Sequence, residues 1–426
     1  MSADILRIGR NMAHLCVRLA VSTAAGMLCV RILLHGLGVE DYGVYAAVFS
    51  VVAVFGTLNG MFENAARRFL SNAMASGGSC AASQTFSSVL LIACGFVLFS
   101  AVLGETCGLW FARTRLSIPE ASAGSMGILF RLLLAVMALR FLQIPFSALI
   151  TSQERMPFYS KFSIVEAAAS IAAAYLARWG LVAYAVSLVV LAVFCCLVHI
   201  LYCRRNFPYI KISMPVRISE IAGIGRFISW GTLGTAGNIL KYQGTNIMLN
   251  ICSGVAFNAA WKISIGIWTL LYGISLSFRQ ASSPLVFTAY AERSAEDFMR
   301  LVRMTVTASF FLAAVPAALL SIDVDGFLLF WIGDRSAPQL AMFVRCALVN
   351  FVFDAVSCPL TLAIDATGKV ARYQAVSSTL SLLAFASACG LLAAGLPEWS
   401  TMAAVAFCNG LACAYRFFHL RTLVLR

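Results

Sequence analysis

The feature that most restricts how this chain can fold is a series of long apolar segments, repeated from one end of the sequence to the other. A helix needs about 20 predominantly apolar residues to cross the hydrocarbon core of a bilayer. Because backbone polar groups find no water there, each segment is expected to be a helix that satisfies its own hydrogen bonds. The sequence therefore predicts an all-α integral membrane protein.

A window of this length finds twelve segments, six in each half of the chain. In the first half they are predicted at 14–34, 43–62, 86–110, 126–150, 162–178 and 181–202. In the second half they are predicted at 227–251, 255–278, 301–322, 340–364, 371–394 and 399–417. The expected fold thus has about twelve transmembrane helices.

Charge supports this fold class and predicts an orientation. Only 12% of the residues are charged, whereas a soluble domain has about 25%. The net charge of +13 would suggest nucleic-acid binding in a soluble protein, but here the positive-inside rule explains it, and no nucleic-acid partner is expected. With the N-terminus in the cytoplasm, 20 of the 31 basic residues fall in cytoplasmic segments and four in the opposite loops. Both termini are therefore predicted to be cytoplasmic.

Two pairs of similar segments indicate that the halves are repeats. LLHGLGVEDYGVYAAVFS, from residue 33, resembles ICSGVAFNAAWKISIGIW, from residue 251, and this pairing aligns Gly38 with Gly254. PFSALITSQERMPFY and PLTLAIDATGKVARY align Pro145 with Pro359. Six is an even number, so both repeats would enter the membrane in the same sense, related by a pseudo-two-fold axis along the membrane normal.

The predicted domains are a six-helix lobe at 1–205, a cytoplasmic linker at 206–225 and a second six-helix lobe at 226–426. This architecture is typical of transporters, in which one lobe moves against the other around a shared site.

Nine charged residues inside the predicted spans are candidates for a functional role, because burying a charge at the bilayer centre costs about 2.5–3.5 kcal/mol. They are Arg18, Arg31, Arg131, Arg140, Glu166, Lys241, Lys262, Arg345 and Asp354. Seven of the nine are basic, so a cavity that they line would favour an anion such as a phosphate or a carboxylate. The arginines near span ends could instead extend to the membrane boundary.

The seventh predicted helix is unusually polar. Asn238, Lys241 and Thr245 share one face at i, i+3 and i+7. Lys241 lies about fourteen residues into this helix, too deep to reach the boundary easily. The helix is expected to line a hydrated cavity or to be broken there, and close packing of its small residues is the alternative.

Two further charges lie on consecutive predicted helices. Arg140 and Glu166 are expected to form an ion pair, and the alternative is that each faces a wet crevice separately. Together with Asp354, which aligns with Arg140 at an offset of 214 residues, they are candidates for structural or coupling charges. The 14 cysteines include no CxxC spacing, so neither a metal nor a cofactor is expected.

Several junctions between the apolar segments resemble one known family. They include LGVEDYGVYAAVFS, NAARRFLSNAMA, ASSPLVFTAYAERSAEDFMRLVRMT and AIDATGKVARYQAVSSTLSLLA. Over nearly its whole length the chain resembles the Wzx-like polysaccharide and O-antigen flippases of the multidrug/oligosaccharidyl-lipid/polysaccharide (MOP) exporter superfamily. The resemblance implies two lobes in a V shape, with helices 1, 2, 7 and 8 around a central cationic cavity.

The substrate that this resemblance implies is a polyprenyl-diphosphate-linked oligosaccharide, moved from the cytoplasmic to the periplasmic leaflet of a bacterial inner membrane. Membrane lipid and other polysaccharide-assembly membrane proteins are the further partners implied. The substrate-binding residues would be Arg18, Arg31, Lys241, Lys262, Asn238, Thr245 and Asn246.

Three alternatives compete with the flippase. A drug/cation antiporter of the same superfamily should have more acidic interior residues. Lipid II flippases usually have two additional C-terminal helices. A membrane-embedded polysaccharide polymerase or ligase would need a sizeable loop with catalytic residues, and the predicted loops are short. The chain is therefore not expected to be an enzyme.

Overall fold

The structure is a computed structural model that describes the backbone of residues 2–424 except 57, 154, 214–217, 293, 334–336 and 370. Within those residues, side chains are described everywhere except at 2–20, 22–23, 75–77, 121, 123, 156, 159–160, 218–219, 230–235, 280–281, 284, 291–292 and 371. Every regular element in the described part of the chain is helical.

The helices follow the order of the predicted spans. In the first half they are α1 (Ser2–Gly56), α2 (Leu58–Leu103), α3 (Leu109–Arg115), α4 (Glu120–Ser152), α5 (Met156–Tyr175) and α6 (Leu181–Asn206). In the second half they are α7 (Ile218–Ile239), α8 (Thr245–Ser253), α9 (Val255–Glu292), α10 (Ala295–Ile322), α11 (Val324–Ile332), α12 (Leu340–Thr367), α13 (Ala371–Ala393) and α14 (Ser400–Val424).

Two long helices each include residues of two predicted spans. A glycine with positive φ interrupts each of them, Gly38 in α1 (φ 80°, ψ 175°) and Gly78 in α2 (φ 62°, ψ −154°). Only glycine adopts such backbone angles readily, because a Cβ would clash. The kinks separate the first three predicted spans. Nine described helical segments are long and apolar enough to cross a membrane, and the one at 24–74 includes the Gly38 kink.

The backbone supports the internal repeat. Gly254, between α8 and α9, has φ 90° and ψ 179°, close to the angles of Gly38 at the aligned position. The aligned prolines Pro145 and Pro359 both lie inside helices, α4 and α12. The same helix-turn-helix is therefore built twice.

Arg131 and Arg345, which align at the same offset of 214 residues as Arg140 and Asp354, also have equivalent partners. Arg131 Nε lies 3.1 Å from Glu105 Oε2, and Arg345 Nη2 lies 3.1 Å from Asp325 Oδ2. In both halves the acid belongs to the segment that precedes the arginine's helix. Each of these two arginines thus has a local counter-charge.

The chain divides into two compact units, Met1–Leu233 and Gly234–Arg426. The sequence predicts a linker at 206–225, and in the structure helix α7 begins within that range, at Ile218. Glu220 in its first turn accepts hydrogen bonds from Thr85 Oγ1 (3.2 Å) and Ser88 Oγ (3.0 Å) of α2. These contacts place the first part of α7 in the first unit. The units are called the first lobe and the second lobe below.

Candidate functional site

The second lobe contains a polar cavity of about 340 Å³, called here the second-lobe pocket. Helices α7, α9, α12, α13 and α14 and the π-helical turn Leu240–Gly244 supply its walls. Its lining includes Asn238, Lys241, Tyr242, Trp268, Tyr272, Arg279, Asp354, Gln374, Ser377, Ser381, Asn409 and Arg416. The cavity has the size of a small-molecule site, for which about 300–1,000 Å³ is usual.

Lys241 lies in the π-helical turn, where one extra residue shifts the side-chain register between α7 and α8. Such turns are frequent at functional sites. The lysine is only 4% exposed. Its Nζ donates a hydrogen bond to Asn409 Oδ1 (3.0 Å) and lies 4.7 Å from the ring centroid of Tyr242. The ammonium is therefore held at the wall of the pocket by an amide and an aromatic face.

Asp354 lies in the same network, on α12. Trp268 Nε1 donates to Asp354 Oδ2 (3.0 Å), and Asn409 Nδ2 lies 3.3 Å and 3.4 Å from the two carboxylate oxygens. Asn409 Nδ2 also donates to Asn350 Oδ1 (2.6 Å). Because Asn409 accepts from Lys241 and donates to Asp354, one amide connects the two opposite charges. The sequence interpretation had grouped Lys241 with other cations only.

Three aromatic rings form one wall of the second-lobe pocket. The ring centroids of Tyr242 and Trp268 are 5.4 Å apart with a 32° angle between the planes. Those of Trp268 and Tyr272 are 5.2 Å apart and nearly parallel, at 10°. These rings combine apolar faces with polar edges, so the wall can contact both kinds of group on a ligand.

Two further arginines line the pocket. Arg279 Nη2 lies 2.9 Å from Asp365 Oδ2, and the Tyr373 hydroxyl donates to the other oxygen of Asp365 (3.3 Å). Arg416 Nη2 donates to Ser377 Oγ (3.2 Å). Both arginines are among the 20 basic residues that the sequence analysis assigned to cytoplasmic segments, and they lie at or next to the ends of predicted spans. In the structure α9 and α14 continue well past them.

The predicted substrate-binding residues are distributed over several environments. Asn238 lines the second-lobe pocket with Lys241, and its Oδ1 accepts a hydrogen bond from Ser381 Oγ (3.1 Å). Lys262 is half-buried on α9 and Arg31 is exposed on α1, and neither is among the described lining residues. The side chain of Arg18 lies outside the described residues.

Thr245 and Asn246 are buried away from the pocket, at 0% and 2% exposure. Asn258 Nδ2 donates to the backbone oxygen (2.6 Å) and to Oδ1 (2.8 Å) of Asn246, and Asn258 Oδ1 accepts from Asn250 Nδ2 (2.8 Å). These amides join α8 to α9. Asn246, a predicted substrate-binding residue, thus takes part in a helix-packing contact.

The first lobe has a smaller polar cavity of about 210 Å³, the first-lobe pocket. The predicted ion pair lies in it, with Arg140 Nη1 2.9 Å from Glu166 Oε1. On the same wall Gln143 Nε2 lies 3.2 Å from His199 Nδ1. The arginine side chain thus connects α4 to α5.

Comparisons with known proteins identify the fold. No family model matches the sequence, and no curated protein matches it by sequence similarity. Among solved structures, an inward-facing multidrug resistance MATE family transporter of the MOP superfamily matches with a TM-score of 0.76 at 12% identity, over 96% of this chain and 98% of that one. The chain has the MOP fold.

Two other solved structures agree with this assignment. The lipid II flippase MurJ, in an inward closed conformation, matches with a TM-score of 0.74 at 11% identity, over 96% of this chain and 89% of that one. The MATE multidrug transporter DinF-BH matches with a TM-score of 0.69 at 12% identity, over 97% of this chain and 95% of that one. At these identities the likeness shows the fold, and the MOP fold has both drug transporters and a lipid flippase among its members.

In this MOP fold the two pockets are formed by equivalent helices of the repeats. Helices α2, α4, α5 and α6 line the first-lobe pocket, and the equivalent α9, α12, α13 and α14 line the second-lobe pocket. Helix α7 and the π-helical turn line the second-lobe pocket as well, whereas no residue of α1 is among the described lining residues of the first-lobe pocket. The aligned residues Arg140 and Asp354 take part in one pocket each. Because their charges are opposite, one of these two aligned positions has changed the sign of its charge since the duplication.

The Arg140–Glu166 pair is expected to show energetic coupling. Single replacements with leucine should each destabilise the first lobe, and the double replacement should cost less than their sum by about 0.5–3 kcal/mol. The side chains are 42% and 26% exposed, so the effect should be smaller than for a fully buried pair. A double-mutant cycle on thermal stability in detergent measures it, and additive losses would contradict pairing.

Proposed function

We propose that the chain is a flippase that moves a polyprenyl-diphosphate-linked oligosaccharide from the cytoplasmic to the periplasmic leaflet of a bacterial inner membrane, by alternating access. Such a substrate is an O-antigen or capsule repeat unit. The single observation that carries the proposal is the second-lobe pocket, in which several cations lie beside an aromatic wall.

The charges of this pocket suit a diphosphate. Lys241, Arg279 and Arg416 line it, whereas Asp354 is the one acidic residue among the described lining residues. Arg279 has its own counter-ion in Asp365. A polar cavity with an excess of cations concentrates anions, and guanidinium groups form strong charge-assisted hydrogen bonds with phosphate oxygens.

The aromatic wall suits a sugar. A hexose ring has an apolar C–H face that packs against an aromatic ring, and its hydroxyl groups need hydrogen-bond partners at the ring edges. Trp268 offers such a face, and Asn238 and Ser377 offer polar partners nearby. The apolar polyprenyl tail would remain in lipid. Arg18, Arg31 and Lys262 remain part of the proposal as further cations along the substrate path.

The second candidate function is export of a cationic drug. Asp354 favours it, because a carboxylate beside stacked aromatic rings is an environment that also binds organic cations. Two solved structures with the same fold are named as multidrug transporters. Against it, Asp354 already has Lys241 nearby through Asn409.

Reconstitution into liposomes distinguishes the two functions. The purified chain would be placed in vesicles that contain a lipid-linked oligosaccharide in the inner leaflet, and the glycan reaching the outer leaflet would be measured with an added lectin. Efflux of a lipophilic cationic dye would be measured in parallel. Lectin-accessible glycan without dye efflux is expected. Dye efflux without movement of the glycan would overturn the flippase proposal, and protein-free vesicles serve as the control.

A further inference from the structure

A third cavity lies in the first lobe, separate from both polar pockets. It has a volume of about 530 Å³ and is called here the first-lobe slot. Its walls are mostly apolar and come from α2, α4, α6 and the segment after α6. They include Phe86, Phe146, Leu149, Ile200 and Phe207. No acidic residue is among the described lining residues.

Two cations lie at the mouth of the first-lobe slot. Arg204 in the last turn of α6 and Lys211 in the following segment both line it, and both are exposed. Within the described part of the chain, neither side chain has an ion-pair or hydrogen-bond partner. Such unpaired cations beside an apolar cavity are ready to accept an anionic group that carries an apolar tail.

The segment that carries Lys211 is fixed in place. The Lys211 backbone N–H donates to Ser83 Oγ (3.2 Å), and the Ser213 backbone N–H donates to Ser87 Oγ (2.8 Å), both on α2. Because the segment is bonded along α2, the slot keeps its second cation close to its apolar wall. These hydrogen bonds to α2 therefore hold the site in place.

The outer face of α6 indicates what surrounds the slot. Val190, Leu197 and Leu201 are 63%, 51% and 62% exposed, and their spacing of seven and four residues places them on one side of the helix. Arg204 follows Leu201 by three residues and continues this side. An exposed apolar stripe that ends in an arginine is typical of a lipid-facing helix at the boundary between hydrocarbon and head groups.

From this arrangement we infer that the first-lobe slot binds an anionic glycerophospholipid, with one acyl chain in the slot and its phosphate between Arg204 and Lys211. Basic pockets between transmembrane helices commonly bind anionic lipid head groups. The cavity volume is within the range of about 300–1,000 Å³ usual for ligand sites. The slot has polar groups mainly at its mouth, so it offers no contacts for a glycan and fits a simple lipid better than the proposed substrate.

The inference is tested on the purified full-length chain. Native mass spectrometry would count the lipids retained from micelles that contain equal amounts of phosphatidylglycerol and phosphatidylethanolamine. Selective retention of phosphatidylglycerol is expected. The double variant Arg204→Gln, Lys211→Gln should lose affinity by about fivefold for each charge removed, because a glutamine keeps the polarity but not the charge.

Two further variants separate the site from general charge effects. Arg205→Gln removes the same charge from a neighbouring exposed position outside the lining, and it should retain the lipid as the unaltered chain does. Ile200→Trp narrows the slot while keeping both cations, and it should lose the lipid even if the double variant does not fold. Equal retention of the two lipids, unchanged retention by Ile200→Trp, or displacement by polyprenyl diphosphate at a lower concentration than phosphatidylglycerol would overturn the inference.

Discussion

Replacing Lys241 with glutamate is expected to reduce glycan export about 100-fold, because a new carboxylate would lie beside Asp354 and face an anionic substrate. Lys241 is buried at the wall of the second-lobe pocket and is hydrogen-bonded to Asn409. The negative charge of a glutamate there would therefore be screened less than a charge at the surface. Lys241→Arg keeps the charge and should retain more export than Lys241→Ala. The expected order is therefore arginine, alanine, glutamate.

The measurement is surface-glycan display in a strain that lacks its own flippase, compared at equal abundance of each variant in the membrane. Lys369→Glu is the matched control, because it makes the same change at an exposed residue just after α12. This control should display glycan normally. Full display by Lys241→Glu would leave Lys241 with a purely structural role in the second lobe.

The arrangement of spans could be predicted because it depends on the length of apolar sequence and on a few glycines. The aligned Gly38 and Gly254 both adopt a backbone conformation that other residues avoid, so the repeat was visible in residue type alone. The helix ends could not be predicted in the same way. A hydropathy window stops where polar residues begin, whereas α9 continues to Glu292, because its backbone hydrogen bonds continue beyond the apolar residues.

A site residue could be predicted from the sequence only where the evidence lay in that residue itself or in two consecutive helices. Lys241 was identified from its depth, and the Arg140–Glu166 pair was expected because its members are 26 residues apart on consecutive helices. The partner of Lys241 is 168 residues away on the last helix. Asn409 carries no charge that would distinguish it in an apolar span, and its role follows only from the packing of α14 on the second-lobe pocket.

The connection through Asn409 leads to an asymmetric prediction for stability. Lys241 is almost completely buried, whereas Asp354 is only partly buried. Removing the carboxylate leaves a buried ammonium without its nearest acidic neighbour, and breaking a buried pair in this way costs about 3–5 kcal/mol. Asp354→Leu should therefore be the more damaging single change, near the low end of that range because the charges are connected through an amide. Lys241→Met should lower the free energy of unfolding by a smaller amount.

The double variant Lys241→Met, Asp354→Leu separates folding from function. With both charges gone, no uncompensated charge remains in the second lobe, and an apolar pair of similar volume often restores stability. Thermal unfolding in detergent should therefore place the double variant above Asp354→Leu alone. Glycan display should stay low, because the substrate loses the cation proposed to attract its diphosphate. If Asp354→Leu were as stable as the unaltered chain, Lys241 would not depend on Asp354, and the charge network of the second-lobe pocket would be incidental to folding.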